Sequence, residues 1–134
     1  MTETDSERGY ILVVEDDPDL RAVESEVLRM EGYDVRAAAD GLEALETMDE
    51  AGTPRLILLD LRMPRMNGWD LAAALRGDHR RRSVPIIVVA AHFAVAQEAA
   101  AVGASAWLHK PVSIDDLLSA VERVYHATTD EVAS

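Results

Sequence analysis

The sequence predicts an α/β fold in which a parallel five-stranded sheet is covered by helices on both faces. Short apolar runs without polar alternation recur along the chain, stretches with helical spacing separate them, and the connections are short. Strands buried on both faces read as continuous apolar runs, which is typical of parallel sheets. Regular strand-helix alternation with short connections favours right-handed crossovers, and therefore one sheet.

Five segments are predicted strands. Three are continuous and apolar, one is shorter, and one alternates in the way expected of an edge strand. In chain order they are residues 11–14, 33–37 (the edge strand), 56–59, 86–89 and 107–108 (the short one). For a (βα)5 chain of this length the leading topology is the doubly wound, flavodoxin-like sheet with strand order 2-1-3-4-5.

Each predicted strand is followed by a predicted helix with its own end signals. The first begins at Asp17 and Pro18, ends at Gly32, and is expected to bury Leu20, Val23, Val27 and Met30. The second helix is expected after Asp40, with Leu42, Leu45 and Met48 on one face. The third is expected from Gly68 to Leu75 and the fourth from Ala94 to Val102. The fifth is expected after Ser113 as a cap, with Leu117, Val121 and Val124 towards the core.

Length and composition favour one cytoplasmic domain. With 134 residues we expect one domain over residues 10–127, flexible tails at 1–9 and 128–134, and no second domain. The 25 acidic against 13 basic residues give a net charge of −12, which argues against nucleic-acid binding. We interpret the one cationic run, residues 80–82, as a solvated loop. The absence of cysteine excludes disulfides and thiolate chemistry, and no apolar run is long enough to span a membrane.

Ionisable residues follow the ends of the predicted strands. Glu15 and Asp16 come directly after the first strand, Asp60 after the third, and Lys110 after the fifth. In open parallel sheets ligands bind beyond the carboxyl ends of the strands, and strands one and three would be neighbours. Clustered carboxylates repel one another, and Mg²⁺ suits a site of one or two carboxylates, waters and a phosphate oxygen. Asp17, before Pro18, is interpreted as a helix cap.

Three stretches of the chain resemble the receiver domains of two-component systems, the CheY-like family. They are LVVEDDP at residues 12–18, LDLRMPRMNG at 59–68, and GASAWLHKP at 103–111. The resemblance covers residues 10–126, and the run from Asp60 to Gly68 is its most specific part.

The resemblance implies a role for each of these residues. Asp60 would be the phosphoacceptor, and Mg²⁺ would be held by Glu15, Asp16, Asp60 and the backbone carbonyl of Arg62. Lys110 would pair with the phosphoryl oxygens; it is the single lysine in a chain with twelve arginines. The expected partners are a histidine kinase or phosphotransfer protein and a downstream protein, without nucleic acid or membrane. The protein would be a monomer or a phosphorylation-linked dimer, and not an enzyme.

Two positions concern the switching step. The family carries Ser or Thr at the end of the fourth strand, where a hydroxyl binds the phosphoryl group, but this chain has Ala90. Trp107 stands where the family has an aromatic switch residue, and a simple core aromatic is the alternative. Ala90 favours a second interpretation, a pseudo-receiver that binds proteins without phosphorylation.

Two enzyme classes are disfavoured. A phosphohydrolase of the haloacid dehalogenase type would need a second acid two residues after Asp60, where the chain has Arg62. A P-loop nucleotidase is excluded because the chain has no glycine-rich element followed by Lys and Ser or Thr.

Overall fold

The predicted alternation of strands and helices is present in the computed structural model, which describes residues 9–61, 65–91 and 95–133. The strands are β1 Ile11–Val14, β2 Val35–Ala38, β3 Leu56–Asp60, β4 Ile86–Ala90 and β5 Ala106–His109. The helices are α1 Pro18–Met30, α2 Gly41–Ala51, α3 Gly68–Arg76, α4 Val95–Ala101 and α5 Ile114–Ala133.

All five strands form one parallel sheet in the order β2-β1-β3-β4-β5, so the predicted fold class and topology are confirmed. Strand β1 has the predicted bounds, and the other four strands differ from the predicted ones by one or two residues at their ends. Two of these differences matter, because β3 ends at Asp60 itself and β4 ends at Ala90. The carboxyl edge of the sheet therefore contains the predicted site residues.

Alternate residues of the strands point to opposite faces, and each face has its own apolar core. On one face the strands pack against α2, α3 and α4; on the other they pack against α1 and α5. The first core includes Leu12, Val14, Ile57, Leu59, Val88, Met48, Leu71, Leu75 and Ala99. The second includes Ile11, Val13, Leu58, Ile87, Val89, Leu28, Leu117, Val121 and Val124.

Of the four residues predicted to be buried on α1, Leu20 and Val27 are half-buried and the other two are exposed. Val23 is 50% exposed and Met30 is 77% exposed, whereas Glu24, Ser25 and Leu28 are buried. Packing against the sheet, with Leu28 in the second core, fixes how the helix is rotated. Apolar spacing alone does not determine that rotation. The same error affects α2, where Leu42 is 41% exposed although Met48 is buried as expected.

The predicted caps at the starts of α1 and α5 are confirmed. Asp17 accepts hydrogen bonds from the backbone N–H groups of Asp19 and Leu20, and Ser113 Oγ accepts one from Asp116. Helix α5 continues to Ala133, past the point where a tail was expected, and the domain limits remain predictions. In the described part of the chain no helix is both long and apolar enough to cross a bilayer.

Candidate functional site

The register of β1 and β3 brings three carboxylates together. Val14 is paired with Leu59, so the residues that follow them, Glu15 and Asp60, lie side by side at the carboxyl edge. One carboxylate oxygen from each of Glu15, Asp16 and Asp60 lies within 4.8 Å of the others. Glu15 and Asp60 are buried and Asp16 is exposed. The cluster therefore has two acids in the floor of the site and one at its rim.

Lys110 connects the two buried acids. Its Nζ lies 2.9 Å from Glu15 Oε1 and 3.4 Å from Asp60 Oδ2. The backbone N–H of Lys110 donates to the carbonyl of Ala90 at 2.8 Å, which fixes the end of β5 against the end of β4. The Lys110–Pro111 peptide bond is cis. These groups, with Asp17 and Ala91, line a cleft of about 300 Å³.

Burial and mutual contacts shift the pKa values of the charged groups in the cluster. Burial, together with its hydrogen bond to Asp60, raises the pKa of Glu15 to about 8, against the opposing effect of Lys110. Burial alone would raise the pKa of Asp16, but hydrogen bonding with Glu15 and Asp60 outweighs it and lowers that pKa. Burial would also lower the pKa of Lys110, yet its bonds to Glu15 and Asp60 raise it. The site thus favours a cation and a shared proton among its acids.

Gly68, eight residues after Asp60, lets the start of helix α3 pack closely against the backbone of Asp60. Helix α3 begins at Gly68, whose N–H donates to the carbonyl of Leu61 at 2.9 Å. A Cβ at this position would lie 2.6 Å from Leu61 Cα and 2.7 Å from the carbonyl oxygen of Asp60. Only glycine allows the start of α3 to approach the backbone of Asp60 this closely. The specific spacing in the predicted motif therefore has a packing reason.

A second support was not predicted from the sequence. Arg65 Nε donates to Asp40 Oδ2 at 2.6 Å, and Arg65 Nη2 lies 3.8 Å from Glu43. The N–H of Gly41 donates to the carbonyl of Met66 at 2.9 Å. These contacts hold Arg65 and Met66 against the start of α2. The sequence showed only that Asp40 could cap α2, which it also does through the N–H of Glu43.

A buried acid next to the site was also missed. Glu24, on the sheet-facing side of α1, is 4% exposed. Burial raises its pKa to about 7; the charge of Lys110 opposes this shift and that of Asp60 adds to it. The predicted buried face of α1 did not include Glu24. The error in the rotation of α1 is the reason.

The remaining predicted site residues are distributed as follows. Ala90 lines the cleft and is buried. Asp17 caps α1, as interpreted from the sequence. Trp107 lies on β5 and is 48% exposed, so the alternative of a core aromatic is wrong, and its role as a switch stays a prediction. Arg62, the expected backbone ligand, lies outside the described residues.

The sequence and the fold of this chain are similar to those of known proteins. The family described as "Response regulator receiver domain" matches residues 11–122. The transcriptional regulatory protein PdtaR of Mycobacterium tuberculosis is 39% identical over 115 residues, covering 84% of this chain and 54% of PdtaR. The DNA-binding response regulator MtrA of Mycolicibacterium smegmatis is 37% identical, covering 96% of this chain and 56% of MtrA.

Among solved structures, the chemotaxis response regulator CheY4 of Vibrio cholerae superposes with a TM-score of 0.79 at 35% identity. The superposition covers 87% of this chain and 98% of CheY4. The chain spans about half the length of the curated relatives it matches, at 54% and 56% of their lengths. CheY4, in contrast, is matched over nearly its whole length.

Proposed function

Because this chain belongs to the response-regulator receiver family, we propose that Asp60 accepts a phosphoryl group from a histidine kinase or phosphotransfer protein. As a receiver domain of two-component signalling, the chain is a signalling phosphoacceptor and not a classical enzyme. The assignment to Asp60 is supported by one observation above all. Asp60 ends β3 in a cleft that also contains Glu15, Asp16 and Lys110.

The proposed transfer is a displacement at phosphorus. A carboxylate oxygen of Asp60 forms a bond to phosphorus while the bond from phosphorus to the donor's histidine nitrogen breaks, and the imidazole keeps that electron pair. The product is an acyl phosphate on Asp60. Asp60 is 5% exposed, and the cleft opens towards solvent past Asp16, which is the side from which a donor histidine can approach.

The acidic cluster is typical of a receiver Mg²⁺ site. The donor set fits this ion, since three carboxylate oxygens within 4.8 Å are hard ligands around a cleft with room for water and a phosphate oxygen. In the proposal Asp16 and Asp60 would hold the ion directly, Glu15 would hold it through water, and the carbonyl of Arg62 would complete the protein ligands. The ion supplies charge neutralisation at the phosphoryl oxygens.

Lys110 has a distinct part in this proposal. Its ammonium is a compact charge that already reaches Asp60 at 3.4 Å and Glu15 at 2.9 Å. A phosphoryl group on Asp60 adds negative charge within reach of the same ammonium. Lys110 can therefore exchange its contact with the carboxylate for a contact with a phosphoryl oxygen. Contact with a downstream protein, as a monomer or as a phosphorylation-linked dimer, is the proposed output.

The test is to measure the intact mass of the protein after incubation with acetyl phosphate. One sample contains Mg²⁺, and a parallel sample contains a chelator instead. We expect one added phosphate with Mg²⁺, and none with the chelator or in Asp60→Asn. Asp34→Asn is the matched control, because Asp34 precedes β2 at the opposite edge of the sheet. A folded wild-type protein that gains no phosphate from acetyl phosphate or from kinases would contradict the proposal.

Ala90 gives specific support to a second candidate, the pseudo-receiver. Ala90 is 2% exposed in the cleft, and neither neighbour in the chain, Val89 or Ala91, carries a hydroxyl. In this candidate the fold binds a partner protein without phosphorylation. It predicts partner binding that is equal in wild type and Asp60→Asn, whereas the phosphoacceptor proposal predicts a difference between them after phosphorylation.

A further inference from the structure

A second concave site lies at the amino edge of the sheet, opposite to Asp60. The connection between α3 and β4, the turn between α4 and β5, and the middle turns of α5 line a pocket of about 650 Å³. Pro85 and Ser105, which precede β4 and β5, belong to its walls. The five residues of β4 separate it from the phosphoacceptor cleft, a distance of about 16 Å. Pockets of this volume are of the size that binds small organic ligands.

The pocket is cationic in an acidic protein. Arg76, Arg82 and Arg123 line it, and no Asp or Glu does among the residues whose side chains the structure describes. Arg82 and Arg123 are exposed and form no ion pair with a carboxylate in the part of the chain that the structure describes. Although the chain has 25 acidic residues, none of those that the structure describes compensates these two guanidinium groups. Such a pocket attracts anions.

The neighbouring Arg81, in contrast, has its charge compensated by ion pairs with carboxylates. Its Nη2 lies 2.9 Å from Asp49 Oδ1 and its Nε lies 3.7 Å from Asp78, and it is 8% exposed. The interpretation of residues 80–82 as a solvated loop is therefore wrong for Arg81. Consecutive arginines have different environments here, since Arg81 is bound to acids and Arg82 faces the pocket.

Arg76 gives the pocket a fixed frame. Its Nη1 donates to the carbonyls of Arg82 at 2.6 Å and Val84 at 3.1 Å, and its Nη2 donates to the carbonyl of Gly103 at 3.1 Å. One guanidinium thus joins the two loops that form opposite walls of the pocket. Arg76 is a positioning residue, and its remaining N–H groups add to the positive potential.

We propose that this pocket binds a small organic phosphate of nucleotide size. Guanidinium groups match phosphate oxygens with paired hydrogen bonds, so Arg82 and Arg123 would hold the phosphate groups. Ser83 lines the same pocket and has a hydroxyl that can donate to phosphate. The apolar side chains of Val84 and Pro85 form the part of the wall that would pack against the organic body. A net charge of −12 disfavours a nucleic-acid polymer as the ligand, because the rest of the surface would repel it.

The probe is ADP, titrated into ¹⁵N-labelled protein in EDTA without Mg²⁺, so that the proposed phosphoacceptor chemistry is not involved. We expect saturable shifts of the amides of Ser83, Gly103 and Ser105, with little change at Ala90 and Lys110. Shifts confined to the carboxyl edge, or shifts that never saturate, would overturn the proposal.

Variants locate the binding and separate its components. The double variant Arg82→Gln/Arg123→Gln should weaken ADP binding by at least about tenfold, since charge-assisted bonds are lost. Arg80→Gln is the matched control: Arg80 is exposed in the same loop but does not line the pocket. Equal affinity of the double variant and wild type would overturn the site. Pyrophosphate should bind several-fold more weakly than ADP, and equal affinity would overturn the organic part of the ligand.

Discussion

Glu24 makes the stability of the protein depend on pH in a way that one substitution can isolate. It is 4% exposed on α1, and burial raises its pKa to about 7. The unfolded chain loses this proton near its ordinary value of 4.5, whereas the native state keeps it to about 7. Between these values the native state binds more protons, so the free energy of unfolding falls as the pH rises.

The magnitude follows from the two pKa values. The interval from 4.5 to about 7 corresponds to roughly 3 kcal/mol, because each pH unit contributes about 1.4 kcal/mol. Glu24→Gln keeps the shape of the protonated side chain and removes the ionisation. We therefore expect the variant to be more stable than wild type by about 3 kcal/mol at pH 8 and by less than about 1 kcal/mol at pH 5. This is a large fraction of the 5–15 kcal/mol that is typical of the total stability of a domain.

Urea denaturation of wild type and variant at both pH values measures this difference. Glu15, whose pKa is raised to about 8, adds a trend of the same sign, but it is present in both proteins and cancels from the comparison. Glu26→Gln, at an exposed position of the same helix, is the control and should change stability equally at both pH values. A Glu24→Gln effect that is the same at pH 5 and pH 8 would refute the reasoning.

Three further predictions concern the carboxyl edge of the sheet. Millimolar Mg²⁺ should raise the melting temperature of wild type by mass action and leave Asp16→Ala nearly unchanged; equal shifts in calorimetry would count against Asp16 as a ligand. Gly68→Ala should destabilise the fold by about 1–3 kcal/mol, because its Cβ would lie 2.6 Å from Leu61 Cα, and an unchanged urea midpoint would contradict this packing. Ala90→Thr should enlarge the NMR shift changes along β4 and β5 on adding beryllofluoride, and an equally large response in wild type would show that no hydroxyl is needed.

The sequence was sufficient for the sheet and for the members of the acidic cluster, for a shared physical reason. A strand buried on both faces must be apolar along its length, so its ends are visible in the sequence. The residues at those ends, such as Asp60 and Lys110, then meet because parallel strands place their carboxyl ends at one edge. Local patterns and one topological rule were enough for that inference.

The features that were missed depend on contacts between distant segments. The ion pair between Arg65 and Asp40 joins residues 25 positions apart, and neither residue has a local pattern that indicates the other. The burial of Glu24 depends on how α1 is rotated against the sheet, and tertiary contacts determine that rotation. The cationic pocket is formed by segments as distant as Arg76 and Arg123, so the sequence shows only separate arginines.

In the family, a hydroxyl at position 90 would connect acceptance of the phosphoryl group to the conformational change that follows it. With Ala90 these two events are not connected through that side chain. The contact of β4 with β5 at the site is a backbone bond from the Lys110 N–H to the Ala90 carbonyl, and it does not depend on the side chain at position 90. In the proposed function, acceptance of a phosphoryl group depends on Asp60, a cation and Lys110, none of which contains that hydroxyl. A hydrogen bond to a charged phosphoryl oxygen contributes about 1.5–3 kcal/mol, which is a factor of about 10 to 150 in a two-state equilibrium. Loss of this bond would leave phosphorylation of Asp60 intact and reduce the conformational shift that it drives, so the output of this chain would depend more on the phosphoryl charge itself than on movement of the loop after β4.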